Sequence, residues 1–301
     1  MIFNGTNLEE CFKGLLSDLA GIIRVELTKL GVTASNVDDK VLNEYFAIHK
    51  RLISQKPRKI LKSKQFSCPT NLQSKLTKLE EKIINGEDLI PHCSRAIARS
   101  SKSTKPDQML NDWNIHHLHF EAKGGLDKLM FVWITDDTVY EIGIYDHSSW
   151  NKIEIIEIIK DNWSNLLEPY RMKDVSDISF TPDNNTIKLF RNAQINTSLK
   201  LKDGSIYMAP GGGYVCDGTN LDAVLKANRY KQYIHRALCE LIKNPKDYLN
   251  WHLDNLVNVN FGLESFNDSI YIVMMYNKDS HDYIQKCKIH SYKQLLECKY
   301  I

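Results

Sequence analysis

The stretch LMFVWITDDTVYEIGIYDHSSWNKIEIIEIIKDNW, residues 129–163, decides the fold class. Leu129 to Thr135 is an apolar run too short for a helix and rich in β-formers. Asp136 and Asp137 interrupt it, and TVYEIGIYDH resumes the alternation, so the segment predicts a hairpin with a two-residue turn. In the simplest register Leu129, Phe131 and Trp133 share a face with Tyr140, Ile142 and Ile144. Met130, Val132 and Ile134 then share the other with Val139, Glu141 and Gly143. Both faces are apolar at the centre, so each needs a cover. Ile153, Ile155, Ile156, Ile159 and Trp163 form a helical stripe directly afterwards, with Ser148 or Ser149 as N-cap, and supply one.

Outward from this hairpin the chain reads as α+β: a helical N-terminal region, a central antiparallel sheet packed on helices, and a C-terminal helix plus β-meander. Residues 1–65 carry two apolar stripes, Leu8 to Ile23 and Val41 to Ile53, and Pro57 ends the second. Another helix runs from Thr70 or Asn71 to a stop at Gly86. The polar, basic segment 94–108 reads as a connection, placing a boundary near residue 105 between a helical region (1–105) and an α+β domain (106–301), with a further subdivision near 170–178. Thr181 and Pro182 open a short helix, and Asp203-Gly204 marks a hairpin turn. A long helix spans about Asn220 to Lys243. VNVNFG, SIYIVMMYN and DYIQKCKI make a three-strand meander, closed by a helix carrying Leu295 and Leu296.

Seven widely spaced cysteines without a Cys-x-x-Cys pair fit free thiols in a reducing cytoplasm. The acidic N-terminus does not read as a signal peptide, and no apolar run approaches the roughly 20 residues of a membrane span. Net charge is +2, yet Lys50 to Lys64 holds seven basic residues and no acidic one. Arg95, Arg99, Lys102 and Lys105 form a second acid-free stretch. Such patches hold phosphates in a near-neutral chain. Arg51, Arg58, Lys59, Lys62, Arg95, Arg99 and Lys123 are therefore candidate nucleic-acid contacts, the alternative being a solvated helix face and linker.

DWNIHHLHFEAKGG, residues 112–125, is the densest chemistry. On a strand His117 and His119 share one face while His116 follows Leu118 and Phe120 to the other. Glu141, Tyr145 and His147 alternate onto one face of the next hairpin. If the two faces coincide, His117, His119, Glu141, Tyr145 and His147 form a proton-transfer site that needs neither metal nor cofactor. The alternative is structural histidines at a sheet edge. APGGGYVCDGTN, residues 209–220, places Gly211, Gly212 and Gly213 between a strand and a helix, a candidate anion-binding loop or a flexible turn.

HHLHFEAKGG resembles the histidine-histidine strand of HNH nucleases, which implies a metal-dependent nuclease. It departs from that pattern where a continuous hairpin replaces the asparagine and the histidine-bearing helix. Residues 105–168, with a basic helical region and His, Tyr, Lys and Glu scattered on a twisted sheet, resemble RelE-like ribonuclease toxins. That resemblance implies RNA cleavage without metal, with His119 or His147 as base or acid and Lys123 or Arg99 on the phosphate. The chain departs from it by lacking a run of arginines on the sheet and by being far longer. The resulting expectation is an endoribonuclease, a toxin or phage-defence effector, with RNA and an antitoxin or other protein as partners and no membrane. A non-catalytic nucleic-acid or protein interaction module is the competing reading.

Overall fold

The computed structural model describes residues 7–93, 107–122, 126–243, 257–266, 269–278 and 281–291. Residues 1–49 with 223–301 gather into one compact unit and residues 50–222 into a second. The boundary expected near residue 105 and the closing helix at Leu295 and Leu296 lie outside the described residues. No helix among the described residues is long and apolar enough to cross a membrane.

The second unit is built on a four-stranded sheet of β1 (Lys59–Lys62), β2 (His116–His119), β3 (Lys128–Ile134) and β4 (Thr138–Asp146), in the order β1-β4-β3-β2. The β3–β4 hairpin forms with its turn where Asp136 and Asp137 predict it, closed by the Thr135 amide donating to the Thr138 carbonyl at 2.9 Å. β2 adds antiparallel to β3, and β1 adds parallel to β4. The strand β1 falls in a stretch that reads as helical and basic, so the expected helix gives way there to a sheet edge.

Each face of the sheet has its own core. Leu129, Phe131 and Trp133 pack with Ile155, Ile156 and Ile159 of the helix Glu154–Trp163 and with Trp113 and Ile115. Leu118, Met130, Val132 and Val139 pack with Leu72, Leu76, Leu79 and Ile83 of the region 72–85. Here α3 (Gln73–Asn85) ends on Gly86 in the left-handed region at φ 71°, as a C-terminal glycine should.

The remaining helices of this unit are α4 (Gln108–Trp113), α5 (Glu154–Trp163) and α6 (Asn184–Asn192). Two N-caps differ from expectation. Neither Ser148 nor Ser149 caps α5; it begins after Ile153, whose amide donates to Asn184 Oδ1 at 3.0 Å. α6 is capped by Asp183 rather than Thr181, its Oδ1 accepting from the Thr186 amide at 2.7 Å. A small hairpin, β5 (Leu199–Lys200) and β6 (Ile206–Tyr207), turns at Gly204 with φ 81°.

The first unit holds α1 (Leu8–Lys29), α2 (Asp38–His49), α7 (Leu221–Lys243) and the meander β7 (Val257–Phe266), β8 (Ser269–Lys278) and β9 (His281–Ser291). Asn7 caps α1, accepting from the Glu9 and Glu10 amides. α1 buries Leu15, Leu19, Ile23 and Leu27, a stripe at four-residue steps. α7 buries Ala223, Ala227, Tyr230, Ile234, Leu238 and Leu241 by the same logic. The Asp18 carboxylate on α1 accepts the Leu263 amide of β7 at 2.9 Å.

Candidate active site

Strand pairing sets the site. His117 stands opposite Phe131 and Phe131 opposite Gly143; His119 stands opposite Leu129 and Leu129 opposite Tyr145. Residues directly opposite each other project to the same face. His117 and His119 therefore share a face with Phe131, Leu129 and Tyr145, on the edge strand β2. After β4, His147 opens a single 3₁₀ turn that returns it to this face. The His119 and His147 ring centroids lie 6.2 Å apart, and those of His117 and His119 5.9 Å. Trp150 closes the group, 4.5 Å from His117 and 6.1 Å from His147.

Three of the five predicted catalytic residues thus converge. Tyr145 lies on the same face but beyond the Leu129 strand, roughly 10 Å across the sheet from β2. Its ring folds over Gly143, where an added Cβ would sit 2.8 Å from the ring. Burial and the nearby Glu154 carboxylate raise its phenol pKa.

Glu141 does not join them. A β-bulge pairs Val132 with Glu141 but Phe131 with Gly143, leaving Ile142 as the extra residue. That insertion reverses the alternation, so Glu141 points away from Tyr145, into the other core. It also places Gly143 opposite Phe131 and Ile144 opposite Met130, not as the simple register has them. Glu141 is 0% exposed, neither side-chain oxygen has a hydrogen-bond partner among the described residues, and the Lys62 ammonium lies 4.0 Å away. Burial, with Glu80 adding to it, raises its pKa to about 8.

The histidines differ in environment. His117 is 6% and His119 8% exposed, whereas His147 is exposed. Burial lowers the His117 pKa, and the Asp107 carboxylate, 3.5 Å from Nδ1, opposes the shift. Asp107 also caps α4, accepting the Leu110 amide at 3.1 Å, so its position is fixed by the backbone. His147 Nδ1 donates to the Asp127 carbonyl at 3.1 Å, which leaves Nε2 to exchange protons. His92 Nδ1 donates to the His119 carbonyl at 2.9 Å and props the edge strand.

Arg191 holds Trp150 in place. Its guanidinium donates to the Trp150 carbonyl and, at 2.8 Å, to the buried Asp112 carboxylate, and it stacks 4.0 Å over Trp113. Trp150, Asp107, His92 and Arg191 were not evident as site residues. The capping position of Asp107, just before the QML helix start, was the one readable signal.

The expected nucleic-acid contacts fare less well. Arg51 and Arg58 are 6% and 7% exposed. Arg58 donates to the Thr135 and Ser54 carbonyls and to Ser54 Oγ, a structural clamp. Both are interior residues rather than RNA contacts, since burial leaves neither guanidinium a solvent face for a phosphate. Lys62 pairs with Glu80 at 2.8 Å, and Lys59 is exposed. Lys123, Arg95 and Arg99 lie outside the described residues.

The glycine loop is likewise corrected. The Gly211, Gly212 and Gly213 amides donate to the Asp112, Ala209 and Asn111 carbonyls at 2.8, 3.0 and 2.8 Å. None is left for an anion. Gly211 is glycine because a Cβ there would sit 2.3 Å from the Leu110 carbonyl oxygen. Among the described residues no group of three or more His, Cys, Asp or Glu side chains is placed to hold a metal ion. No protein-family model, no curated protein and no solved structure matches the chain.

Proposed function

We propose that His119 and His147 are the acid–base pair of a metal-independent endoribonuclease. The observation that carries this reading is the convergence of three imidazoles from β2 and from the turn after β4 around Trp150. One imidazole takes the proton of a 2′-hydroxyl, whose oxygen then attacks the adjacent phosphorus. The other gives a proton to the departing 5′-oxygen, and the products are a cyclic phosphate and a free hydroxyl. Two imidazoles can perform this exchange, because each can both accept and donate a proton at a ring nitrogen. Asp107 favours a proton on His117 Nδ1, which places the lone pair of this third imidazole on Nε2. Trp150 offers a face on which a base can stack.

The test is cleavage of a labelled single-stranded RNA by the full chain, with His119→Ala, His147→Ala and His147→Gln. Loss of cleavage in all three, retained melting temperatures for the His147 variants, a bell-shaped pH profile and indifference to EDTA are expected. Unchanged cleavage in the His147 variants, or cleavage that EDTA abolishes, refutes the assignment. The burial of His117 and His119 on an edge strand favours a second reading, a non-catalytic interaction module. In that case the histidine variants lower stability alone, and the native chain cleaves nothing.

A further inference from the structure

The first unit contains a basic cavity that none of the preceding chemistry uses. Its volume is about 510 Å³, within the range of small-ligand sites, and it is lined by Phe12, Asn228, Lys231, Gln232, His235 and Arg236. Helical spacing explains the lining. Asn228, Gln232 and Arg236 recur every four residues along α7, and Lys231 and His235 form the adjoining four-step row. Phe12 on α1 supplies the opposite wall, its ring 4.9 Å from His235 at an interplanar angle of 80°. α7 carries five Lys and Arg residues against two acidic ones, so its field favours an anion.

We infer that this cavity binds one nucleotide unit of single-stranded RNA. The Lys231 and Arg236 cations hold the phosphate, the Phe12 and His235 rings face the base, and the Asn228 and Gln232 amides meet its edges. Arg236 is exposed and has no ion pair among the described residues. Lys231 lies 3.5 Å from Asp39, whose side chain is 85% exposed. An exposed pair of that kind is worth little and yields to a phosphate. Amides both donate and accept, so they suit base edges without fixing one base, and aromatic stacking is equally tolerant. The choice of RNA rests on the ribonuclease reading; the cation-and-ring geometry does not.

Fluorescence anisotropy with a labelled oligouridylate, in EDTA and across a salt series, tests it on the full chain. Lys231→Glu with Arg236→Glu should weaken binding at least tenfold. The pair should also lower the slope of log K against log salt by about 0.7, since the one phosphate they hold contributes about that much on a single strand. Lys231→Ala with Arg236→Ala should do the same more mildly, and guards against a folding defect from charge reversal. No binding by the native chain at low salt, or an unchanged affinity and slope in both variants, overturns the inference. Binding lost in these variants, with no cleavage by the native chain, upholds the cavity and refutes the ribonuclease.

Discussion

Replacing Glu141 by glutamine isolates the one buried acid that the bulge turned away from the histidines. Glu141 is fully buried without a hydrogen bond, and its pKa rises from an ordinary 4.5 to about 8. The folded state therefore keeps a proton that the unfolded chain releases between those values. Folded protein binds more protons in that window, so stability is complete below about pH 4.5 and falls as pH rises toward 8. Each pH unit within it costs up to about 1.4 kcal/mol, and the whole shift amounts to roughly 3–6 kcal/mol. His49 and His116 slope the other way. Desolvation lowers both from 6.5 to about 4, so their contribution is lost as pH falls through that interval. Glutamine carries no proton to lose, and the difference between the two proteins removes the histidines from the comparison. Urea denaturation of both from pH 4 to pH 9 should give a difference that grows in favour of Glu141→Gln with pH. A difference that stays flat within about 1 kcal/mol would show that Glu141 is solvated or well paired, and would remove the bulge-directed burial argument.

Three further outcomes follow from the packing. Trp133→Ala, in the core beneath α5, should cost about 3–5 kcal/mol by chemical denaturation, and a cost below about 1 would place the ring at the surface. Arg191→Met strands the buried Asp112 carboxylate and frees the Trp150 carbonyl, so a loss of about 3–5 kcal/mol and a shifted tryptophan emission are expected. Gly211→Ala drives a methyl against the Leu110 and Asn111 carbonyls and should cost at least about 1–3 kcal/mol; a melting temperature within a degree of native would refute that close approach.

The hairpin was legible because alternating apolar residues fill both of its faces and two acidic residues mark the turn. The C-terminal meander and the long helix were legible by the same periods. The bulge was not, since nothing in TVYEIGIY marks Ile142 as an extra residue, and with it went the placement of Glu141. Half of the candidate site was readable: His117 and His119 share a strand face by spacing alone. His147 reaches them through a 3₁₀ turn, whose direction no local pattern specifies. Within the run of cations at 50–64 the burial of Arg51 and Arg58 was not legible, because charge in a sequence carries no depth. Arg58 ties its own segment, at Ser54 and Lys56, to the turn at Thr135 rather than facing solvent.

The Asp18 contact to Leu263 has a bearing on what happens when many copies meet. β7 is the outer strand of the meander, and a free outer strand offers its amides as a template for another chain. A helix-borne carboxylate seated on one of those amides occupies the template from within the same molecule. Asp18→Ala should therefore leave the Leu263 amide unpaired and raise self-association at high concentration, which sedimentation would read.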